Sequence, residues 1–436
     1  MPITARKPKS RTKLYLYMVM GILSLGILFG TLFGFILQDP DKILNFFRHT
    51  EWWAILLILM YPFLKGIIFG TLQKYIFHKY NISIPLWKTI VVFSLSNFLG
   101  VVTPFGLGGD AMKIYILRRN GFTSSQVLPG IIFVNIMNQV VSLIIIAFGG
   151  FYLLANPSFA ESLFQIHQHD TKAINSNIGF GVIVIIFIAI GIFLQVTWGL
   201  TLLSVTVSGS FQKRIMKIVH WFTTKILKNR DLARVNEIKM NNTFEILAHD
   251  FKRFFKMPPV LFISFIMILM FFVYQGSLAY FAVVGIDKIS SSDFPGMNIF
   301  ETIIISIMVE LANVFVPIPG GSGTLDLSFN YLMNNLLLFT SAPWMNKNDI
   351  ASITTSTLLF IRIAITFSVI AWGLLFVIFI KIMKTKKKNE QLFFVDEFMD
   401  LILDVNKIRR DQRHNDFEEF FKELEIVYKD IQDHDQ

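Results

Sequence analysis

The sequence contains no cysteine, and only 16% of its 436 residues are charged. Without cysteine the chain has no disulfide, no thiolate metal ligand and no thiol nucleophile. A G-x-x-x-x-G-K-[ST] motif is also absent, which excludes a phosphate loop of that type for direct use of ATP. His167 and His169 are close in the sequence, but two histidines without further ligands do not define a metal site. We therefore expect no metal and no other cofactor.

The sequence is instead rich in apolar residues, which make up 53% of the chain. A run of about 20 apolar residues is long enough to cross the ~30 Å hydrocarbon layer of a bilayer as a helix. Six runs reach this length, and they predict an all-α polytopic membrane protein: 14–37, 51–71, 128–154, 178–205, 258–284 and 351–380. Two shorter apolar segments, 87–102 and 298–316, run directly into proline and glycine.

The placement of Lys and Arg predicts the orientation, because cytoplasmic loops retain an excess of these residues. Five precede the first span, eleven lie in 206–257 and five lie in KIMKTKKK directly after the last span, whereas the opposite set of loops holds only Lys42, Arg48, Lys172, Lys288 and Lys347. We therefore expect a multi-pass protein of the cell (plasma) membrane with both termini in the cytoplasm. The net charge of +10 follows from this placement and does not indicate nucleic acid.

The same test applies to the two short segments. Both flanks of 87–120 are rich in Lys and Arg, so this segment is expected to enter and leave the membrane from the cytoplasm. Both flanks of 298–340 are poor in basic residues, so this segment is expected to enter from outside. The prediction is six full spans plus two oppositely oriented re-entrant helical hairpins.

The two predicted hairpins share a P-x-G-x-G core, formed by Pro104, Gly106 and Gly108 in one and by Pro319, Gly321 and Gly323 in the other. Each hairpin lies between two spans, 51–71 and 128–154 in the first case and 258–284 and 351–380 in the second. The order is the same but the direction is opposite. This predicts an inverted-topology repeat, which places substrate sites at broken helices near the membrane midplane.

The glycine-rich turns have two interpretations. Non-helical backbone at membrane depth must be enclosed by protein or line a polar cavity, and helices that restart near Gly109 and Thr324 direct their positive N-terminal ends at an anion. Alternatively, the glycines only permit close helix packing. Because the breaks are paired, we favour substrate binding by Pro104, Gly106, Gly108, Gly109, Asn313, Gly320, Gly321 and Gly323.

Five ionisable residues lie within the apolar segments: Lys65, Asp110, Glu310, Asp326 and Arg362. Such residues are costly in hydrocarbon and mark functional sites. Glu310 and Arg362 lie at matching depths of ~16 Å from the outer surface, so the leading prediction is a Glu310–Arg362 pair with Asp326 nearby. A Lys65–Asp110 pair is the weaker counterpart in the first repeat. The alternative is a structural salt bridge that locks the hairpin.

Span 128–154 carries polar residues at Asn135, Asn138, Gln139 and Ser142, which share one helix face. They are expected to face the bundle interior. Interhelical hydrogen bonding is favoured over substrate contact for these side chains.

A family resemblance rests on three segments, which read TPFGLGGDAMKIYILRRNGFTSSQ, PIPGGSGTLD and LLFIRIAITFSVIAWG. They are similar to signature segments of the lysylphosphatidylglycerol synthase transmembrane region, a flippase-like family, and the resemblance covers most of residues 10–385. It implies translocation of lipid between leaflets, with lysyl-phosphatidylglycerol as the best-known cargo. It also implies functional roles for Asp326, where the family usually has Glu, and for Arg362.

This sequence departs from the family pattern at three places. Lys113 stands where Arg is more frequent, Phe105 interrupts the usual Pro-Gly, and the neutral Asn135–Gln139 stretch replaces a Glu-Arg pair. Lys113 is retained as a substrate-binding candidate. The longest non-membrane pieces, 206–257 and 381–436, have only about 50 residues each, against ~100 for a catalytic domain. We therefore expect a stand-alone member without the aminoacyl-transferring domain.

The predicted organisation is a basic cytoplasmic N-terminus (1–13), a transmembrane domain (14–385) and an acidic cytoplasmic tail (386–436). Loop 206–257 has eleven basic and four acidic residues around an apolar helical pattern, which indicates an amphipathic helix on the anionic inner leaflet. The tail also has an apolar helical stripe. It is a candidate contact with that loop, with a second copy of the chain or with another partner.

The leading functional hypothesis is a flippase or flippase-like transporter that moves an anionic or aminoacylated phospholipid, or a related lipid-linked headgroup, between leaflets. Two alternatives stay open. One is an integral membrane enzyme that uses Asp110, Glu310 or Asp326 for acid–base chemistry. The other is an ion-coupled carrier of a small solute, since the same repeat architecture serves such proteins.

Overall fold

The structure is a computed structural model. It describes residues 48, 50–79, 82–103, 107–119, 122, 124–164, 174–221, 248–249, 251, 253–285, 297–314, 324–340 and 347–376. The elements of this part of the chain are helices, with no sheet among them. They are, in order, α1 (Trp52–Lys79), α2 (Leu86–Val102), α3 (Leu107–Arg119), α4 (Ser124–Ala155), α5 (Pro157–Phe164), α6 (Ile174–Val207), α7 (Gly209–Trp221), α8 (Pro258–Val284), α9 (Ile299–Val314), α10 (Thr324–Thr340) and α11 (Lys347–Arg362), which passes into a π-helical turn (Ile363–Phe367).

Five helical stretches of the described residues are long and apolar enough to cross a membrane: Trp52–Lys79, Gln126–Ala155, Val182–Thr201, Pro258–Val284 and Ile350–Phe376. They confirm five of the predicted spans, and the sixth, 14–37, lies outside the described residues. Large apolar side chains point outward from these stretches, as Phe148, Phe193 and Phe262 do with 71%, 68% and 67% of their surface exposed. Apolar surface of this extent suits contact with lipid. The chain is therefore a multi-pass membrane protein.

Each segment predicted as a hairpin consists of two short helices that pack against one another, α2 with α3 and α9 with α10. These helices have 17, 13, 16 and 17 residues. At 1.5 Å per residue they measure about 20 to 26 Å, which is short of the ~30 Å hydrocarbon layer. The two turns, 104–106 and 315–323, lie outside the described residues.

Helices α1 and α8 occupy the centre and run antiparallel. The start of α1 meets the end of α8, since Glu51 N–H donates to the carbonyl oxygen of Gly285 at 2.7 Å. Further along, the Tyr61 hydroxyl donates to Gln275 Oε1 at 3.0 Å. Because α1 precedes the first hairpin and α8 precedes the second, the corresponding helices of the two halves have opposite directions.

The two halves also have matching neighbours. In the first half, α1 packs on α2, α2 on α3 and α3 on α4; in the second half, α8 packs on α9, α9 on α10 and α10 on α11. Across the halves, α8 packs on α4, and α1 packs on the π turn that follows α11. The similarity read from two short sequence motifs thus extends to the order in which whole helices pack.

Helices α5 and α6 connect the halves. Helix α6 lies so close to α9 that a Cβ atom on Gly191 would come within 2.0 Å of the Leu311 carbonyl oxygen, so only glycine fits there. Helix α5 contacts α10, where the Asn335 amide donates to the carbonyl oxygen of Leu163 at 2.8 Å. Through these contacts α6 packs on α9 and α5 packs on α10, the two helices of the second hairpin.

Leu374–Gln436 forms a second compact unit, of which only residues 374–376 are described. The N-terminus 1–13 and the predicted acidic tail 386–436 lie outside the described residues, as do His167 and His169. Of loop 206–257, the described part includes α7 and the segment that leads into α8.

Candidate functional site

Lys65 lies at the centre of the bundle, between the two hairpins. It is the fourteenth of the 28 residues of α1, so it is about 20 Å from either end of that helix. Its ammonium nitrogen is 5.7 Å from the ring centre of Tyr61 and 5.5 Å from that of Phe271, distances at which a cation and a ring attract one another. It interacts electrostatically with Glu310 of the second hairpin and with Lys113 of the first.

Glu310 is held by a short chain of hydrogen bonds. Its Oε2 atom accepts from Gln275 Nε2 at 3.3 Å, and Gln275 Oε1 accepts from the buried Tyr61 hydroxyl. The Glu310 side chain is exposed. It therefore borders accessible space beside Gln275 of α8, which is called the opening below.

Asp110 and Lys113 form the charged part of the first hairpin. Lys113 Nζ is 2.8 Å from Asp110 Oδ1, and Asn135 Nδ2 of α4 donates to Asp110 Oδ2 at 2.8 Å. Lys113 also lies 5.2 Å from the ring centre of Phe93. Asp110 leaves 48% of its side chain exposed, whereas Lys113 leaves 11%. The carboxylate is therefore the more accessible of the two groups.

Asp326 and Arg362 form an ion pair inside the second half. Arg362 Nε lies 2.7 Å from Asp326 Oδ1, and both side chains are buried. Arg362 ends α11 immediately before the π-helical turn. A π turn inside an α-helix is rare and often lies at a functional site.

The two carboxylates have the same structural setting. Asp110 is in the first turn of α3 and Asp326 is in the first turn of α10, each directly after a glycine-rich turn. Each is hydrogen-bonded to a side chain of the span that follows the hairpin, Asn135 in one half and Arg362 in the other. Acidic residues at helix N-termini are stabilised by the helix dipole. The pattern extends the matching of the halves to individual side chains.

The predicted pairings differ from these contacts. The structure gives Arg362 the carboxylate of Asp326, whereas Glu310 bonds to Gln275 and faces Lys65. Asp110 bonds to Lys113 and Asn135, where the sequence predicted Lys65. The salt bridge that locks the second hairpin, which was the alternative interpretation, is therefore the arrangement found for Arg362.

The described glycines of the first turn serve helix packing. A Cβ atom on Gly108 would lie 2.7 Å from the Thr103 side chain, and one on Gly109 would lie 3.0 Å from the Ser96 carbonyl oxygen. The N–H of Gly108 donates to Thr103 Oγ1 at 3.0 Å, so this donor has a protein partner. The close-packing interpretation thus accounts for both positions.

The remaining turn candidates, Pro104, Gly106, Gly320, Gly321 and Gly323, lie outside the described residues. Asn313 is described as part of α9, without its side-chain surroundings. Sequence reasoning missed Tyr61 and Gln275 as partners of Glu310. The signal that the sequence offers is the polarity of these two residues within otherwise apolar spans.

Asn135 and Ser142 are bonded between helices, as predicted. Asn135 bonds to Asp110, and Ser142 Oγ accepts from Gln195 Nε2 of α6 at 3.2 Å. Among the described residues, no group of three or more His, Asp or Glu side chains is arranged to hold a metal ion.

The fold and the site define a multi-pass helical membrane protein with two pairs of short packed helices and ionisable side chains inside its bundle. The family model for the lysylphosphatidylglycerol synthase TM region matches residues 22–345. The chain belongs to this family, which confirms the resemblance seen in the sequence. The matched region includes both hairpins and ends before Arg362. Comparisons with curated proteins and with solved structures give no match.

Proposed function

We propose that this protein is a flippase-like transporter that moves an anionic or aminoacylated phospholipid, or a related lipid-linked headgroup, between the leaflets of the cell membrane. The observation that carries the proposal is the position of Lys65, which interacts with Lys113 of the first hairpin and with Glu310 of the second. A headgroup at Lys65 would contact both halves of the bundle at mid-depth. The family assignment agrees with a function that involves membrane lipid.

The proposed architecture is six spans with two oppositely directed re-entrant hairpins. The hairpin helices are shorter than a full span, and corresponding helices α1 and α8 are antiparallel. In transporters built from inverted repeats, the site lies between the repeats and each half moves against the other. The charged opening beside Lys65 has this location.

The side chains around Lys65 suit a phosphate group. Lys65 and Lys113 supply positive charge, and the ammonium of Lys65 has aromatic rings rather than a directly bonded carboxylate as its contacts. Ionised residues at this depth are costly unless paired or functional. In the second half, Arg362 is a further candidate, because its planar guanidinium can exchange Asp326 for a phosphate.

Helix α7 is the proposed contact with the anionic inner leaflet. Its apolar residues Phe211, Ile215 and Ile218 share one face, and Lys213 and Lys217 lie on the opposite face. Ile218 exposes 64% of its surface. A helix with this pattern lies in the interface and is attracted by anionic lipid. This assignment requires α7 to be on the cytoplasmic side, as the charge distribution predicts.

Reconstitution into liposomes with headgroup-labelled phosphatidylglycerol tests the function. Lys65→Met should reduce the rate of headgroup translocation at least about tenfold, because one contact of a charged group with phosphate contributes roughly 1.5–3 kcal/mol. Lys74→Met is the matched control, since Lys74 is an exposed lysine on the same helix, and it should retain the wild-type rate. Arg362→Ala should also slow translocation.

Three results would contradict the proposal. The first is wild-type protein that does not exchange labelled lipid between leaflets. The second is translocation that Lys65→Met leaves unchanged. The third is chemical conversion of the lipid without translocation, which would favour the membrane-enzyme hypothesis with Asp110, Glu310 or Asp326 as the acid–base groups.

A further inference from the structure

We propose that Glu310 is a proton-binding residue and that proton uptake there accompanies binding of a phosphate group at Lys65. The inference deepens the proposed function and rests on it where the phosphate belongs to a lipid. The ligand is a phosphodiester or phosphate anion, and the second ligand is a proton from solution. The two would bind to neighbouring side chains of one opening.

The first support is that Lys65 and Glu310 lie near each other without a hydrogen bond between them. The two side chains interact electrostatically, but among their described contacts neither forms a hydrogen bond with the other. The Lys65 ammonium faces rings instead. Glu310 receives one hydrogen bond from Gln275, at Oε2. Its Oε1 atom is thus available to carry a proton, and the lysine is available to an incoming anion.

The second support is that the other acidic side chains nearby have donors in direct contact. Asp110 accepts from Lys113 and Asn135, and Asp326 is bonded to Arg362. Glu301, at the start of α9, accepts from the Tyr152 hydroxyl and from the backbone N–H of Asn298. An adjacent cation or several hydrogen-bond donors favour the charged form of a carboxylate. Glu310 has neither a bonded cation nor a backbone donor.

The surroundings of Glu310 contain few other groups that titrate near neutral pH. Helix α9 packs against α4, α6, α8 and α10, and α1 reaches it through Lys65 and Tyr61. Helix α6 has no ionisable residue. The ionisable residues of the others are Tyr152 on α4, Tyr274 and Tyr280 on α8, and Asp326 and Tyr331 on α10. Tyrosine ordinarily titrates near pH 10. The groups left as candidates for a change of charge between pH 6 and 8 are Glu310 and the Lys65 ammonium, and the Glu310→Gln variant described below distinguishes them.

The coupling follows from electrostatics. An anion bound at Lys65 adds a second negative charge beside Glu310, and a proton on Glu310 removes the repulsion. Each ligand therefore strengthens the binding of the other. Over the pH range in which Glu310 is ionised in the free protein and protonated in the complex, anion binding strengthens as pH falls, by at most about tenfold per pH unit.

The test measures binding of sn-glycero-3-phosphoglycerol to the whole chain in phosphatidylcholine nanodiscs at about pH 6, 7 and 8. This phosphodiester does not titrate in that range, so a proton taken up belongs to the protein. For the wild type, affinity at pH 6 should exceed affinity at pH 8 by about tenfold or more. Calorimetry in buffers of different ionisation enthalpy should show net proton uptake on binding.

Glu310→Gln should bind with the affinity that the wild type has at low pH, and its affinity should change less than about twofold between pH 6 and 8. Glu310→Asp keeps a carboxylate and should keep the pH dependence, which separates loss of the proton site from misfolding. Glu301→Gln is the matched control on the same helix and should show the wild-type profile. Lys65→Met should lose binding at every pH.

The inference would be overturned if the affinity of the wild type did not change between pH 6 and 8. It would also be overturned if the affinity of Glu310→Gln depended on pH as strongly as that of the wild type. The proposed function has a separate criterion. If inorganic phosphate binds more tightly than the phosphodiester and labelled lipid is not translocated, the lipid assignment fails, whereas a pH-dependent affinity would still support the proton site.

Discussion

The ion pair between Asp326 and Arg362 is the most deeply enclosed charge contact in the described part of the chain, with 7% and 6% of the residues exposed. Two charges removed from water gain little net stability from pairing, but a charge left alone after its partner is removed is strongly destabilising. The net contribution of the pair to stability is therefore small. The pair holds the second hairpin against the last span mainly because separating the two charges is costly.

Arg362→Met should lower the free energy of unfolding by about 3–5 kcal/mol, because it leaves the Asp326 carboxylate buried without its cation. The double variant Asp326→Asn/Arg362→Met should recover part of this loss, since neither charge is then present. Thermal unfolding in detergent, followed by intrinsic fluorescence, provides the measurement.

Asp110→Asn serves as the comparison for this pair. The Asp110 carboxylate is about half exposed, so water can replace much of the contact that the substitution removes. The free energy of unfolding should therefore fall by about 1 kcal/mol or less. Equal losses for Asp110→Asn and Arg362→Met would show that burial does not determine the contribution of these pairs.

At this scale the sequence located the ionisable residues of the apolar segments but not their partners. Asp110, Glu310, Asp326 and Arg362 make charged or polar contacts, and Lys65 lies beside two aromatic rings. The rise per residue gave matching depths for Glu310 and Arg362, but depth does not determine which neighbour a side chain faces. That depends on the rotation of each helix about its axis, which arises from the packing of the complete bundle.

The helices themselves were predicted more accurately than the pairs. The span 258–284 coincides with Pro258–Val284, and the hairpin boundaries agree with α2–α3 and α9–α10 within two residues. Apolar length and proline–glycine breaks determine these features locally. The π turn after Arg362 had no such signal, because IAITF is an ordinary apolar sequence that forms a regular helix in most settings.

Helix α7 is the element whose proposed role depends on lipid composition. Replacing Lys213, Arg214 and Lys217 by Gln should remove most of the extra thermal stability that the protein gains in phosphatidylglycerol nanodiscs relative to phosphatidylcholine nanodiscs. Each basic residue near an anionic surface contributes about 1 kcal/mol. Unfolding temperatures in the two lipids are the measurement.

Ile218→Ser is the companion variant for α7. It removes apolar contact with the interface and should lower stability in both lipids to a similar extent. If the triple Gln variant keeps the full benefit of phosphatidylglycerol, α7 does not contact the anionic leaflet.

For the molecule as a whole, the proposed topology can be tested by cysteine labelling, because the natural chain has no cysteine. Lys88→Cys at the start of the first hairpin and Ser210→Cys in α7 should react with a membrane-impermeant maleimide only from the cytoplasmic side. Phe300→Cys, at the exposed start of α9, should react only from outside. Right-side-out and inverted vesicles provide the two directions.

Labelling of Lys88→Cys and Phe300→Cys from the same side would exclude oppositely directed hairpins, and with them the inverted repeat. The family could be predicted from three short segments and is confirmed over residues 22–345. The sequence signal for the proposed repeat is limited to two P-x-G-x-G cores, because the apolar residues that make up most of the helices carry no pattern specific to such a relation.

The π turn between Arg362 and the end of the last span allows that span to contain one extra residue without a change in the relative rotation of its two ends. A π turn accommodates one residue more than a regular helix, and each residue turns an α-helix by about 100°. Beyond the turn, the Trp372 indole donates to the carbonyl oxygen of Leu59 at 3.2 Å, which holds this end against α1. Deleting one residue from Ile363–Phe367 would therefore restore a regular helix in which Arg362 and Trp372 keep nearly their present relative rotation, whereas a deletion in a regular part of the span would rotate its two ends by about 100° relative to one another.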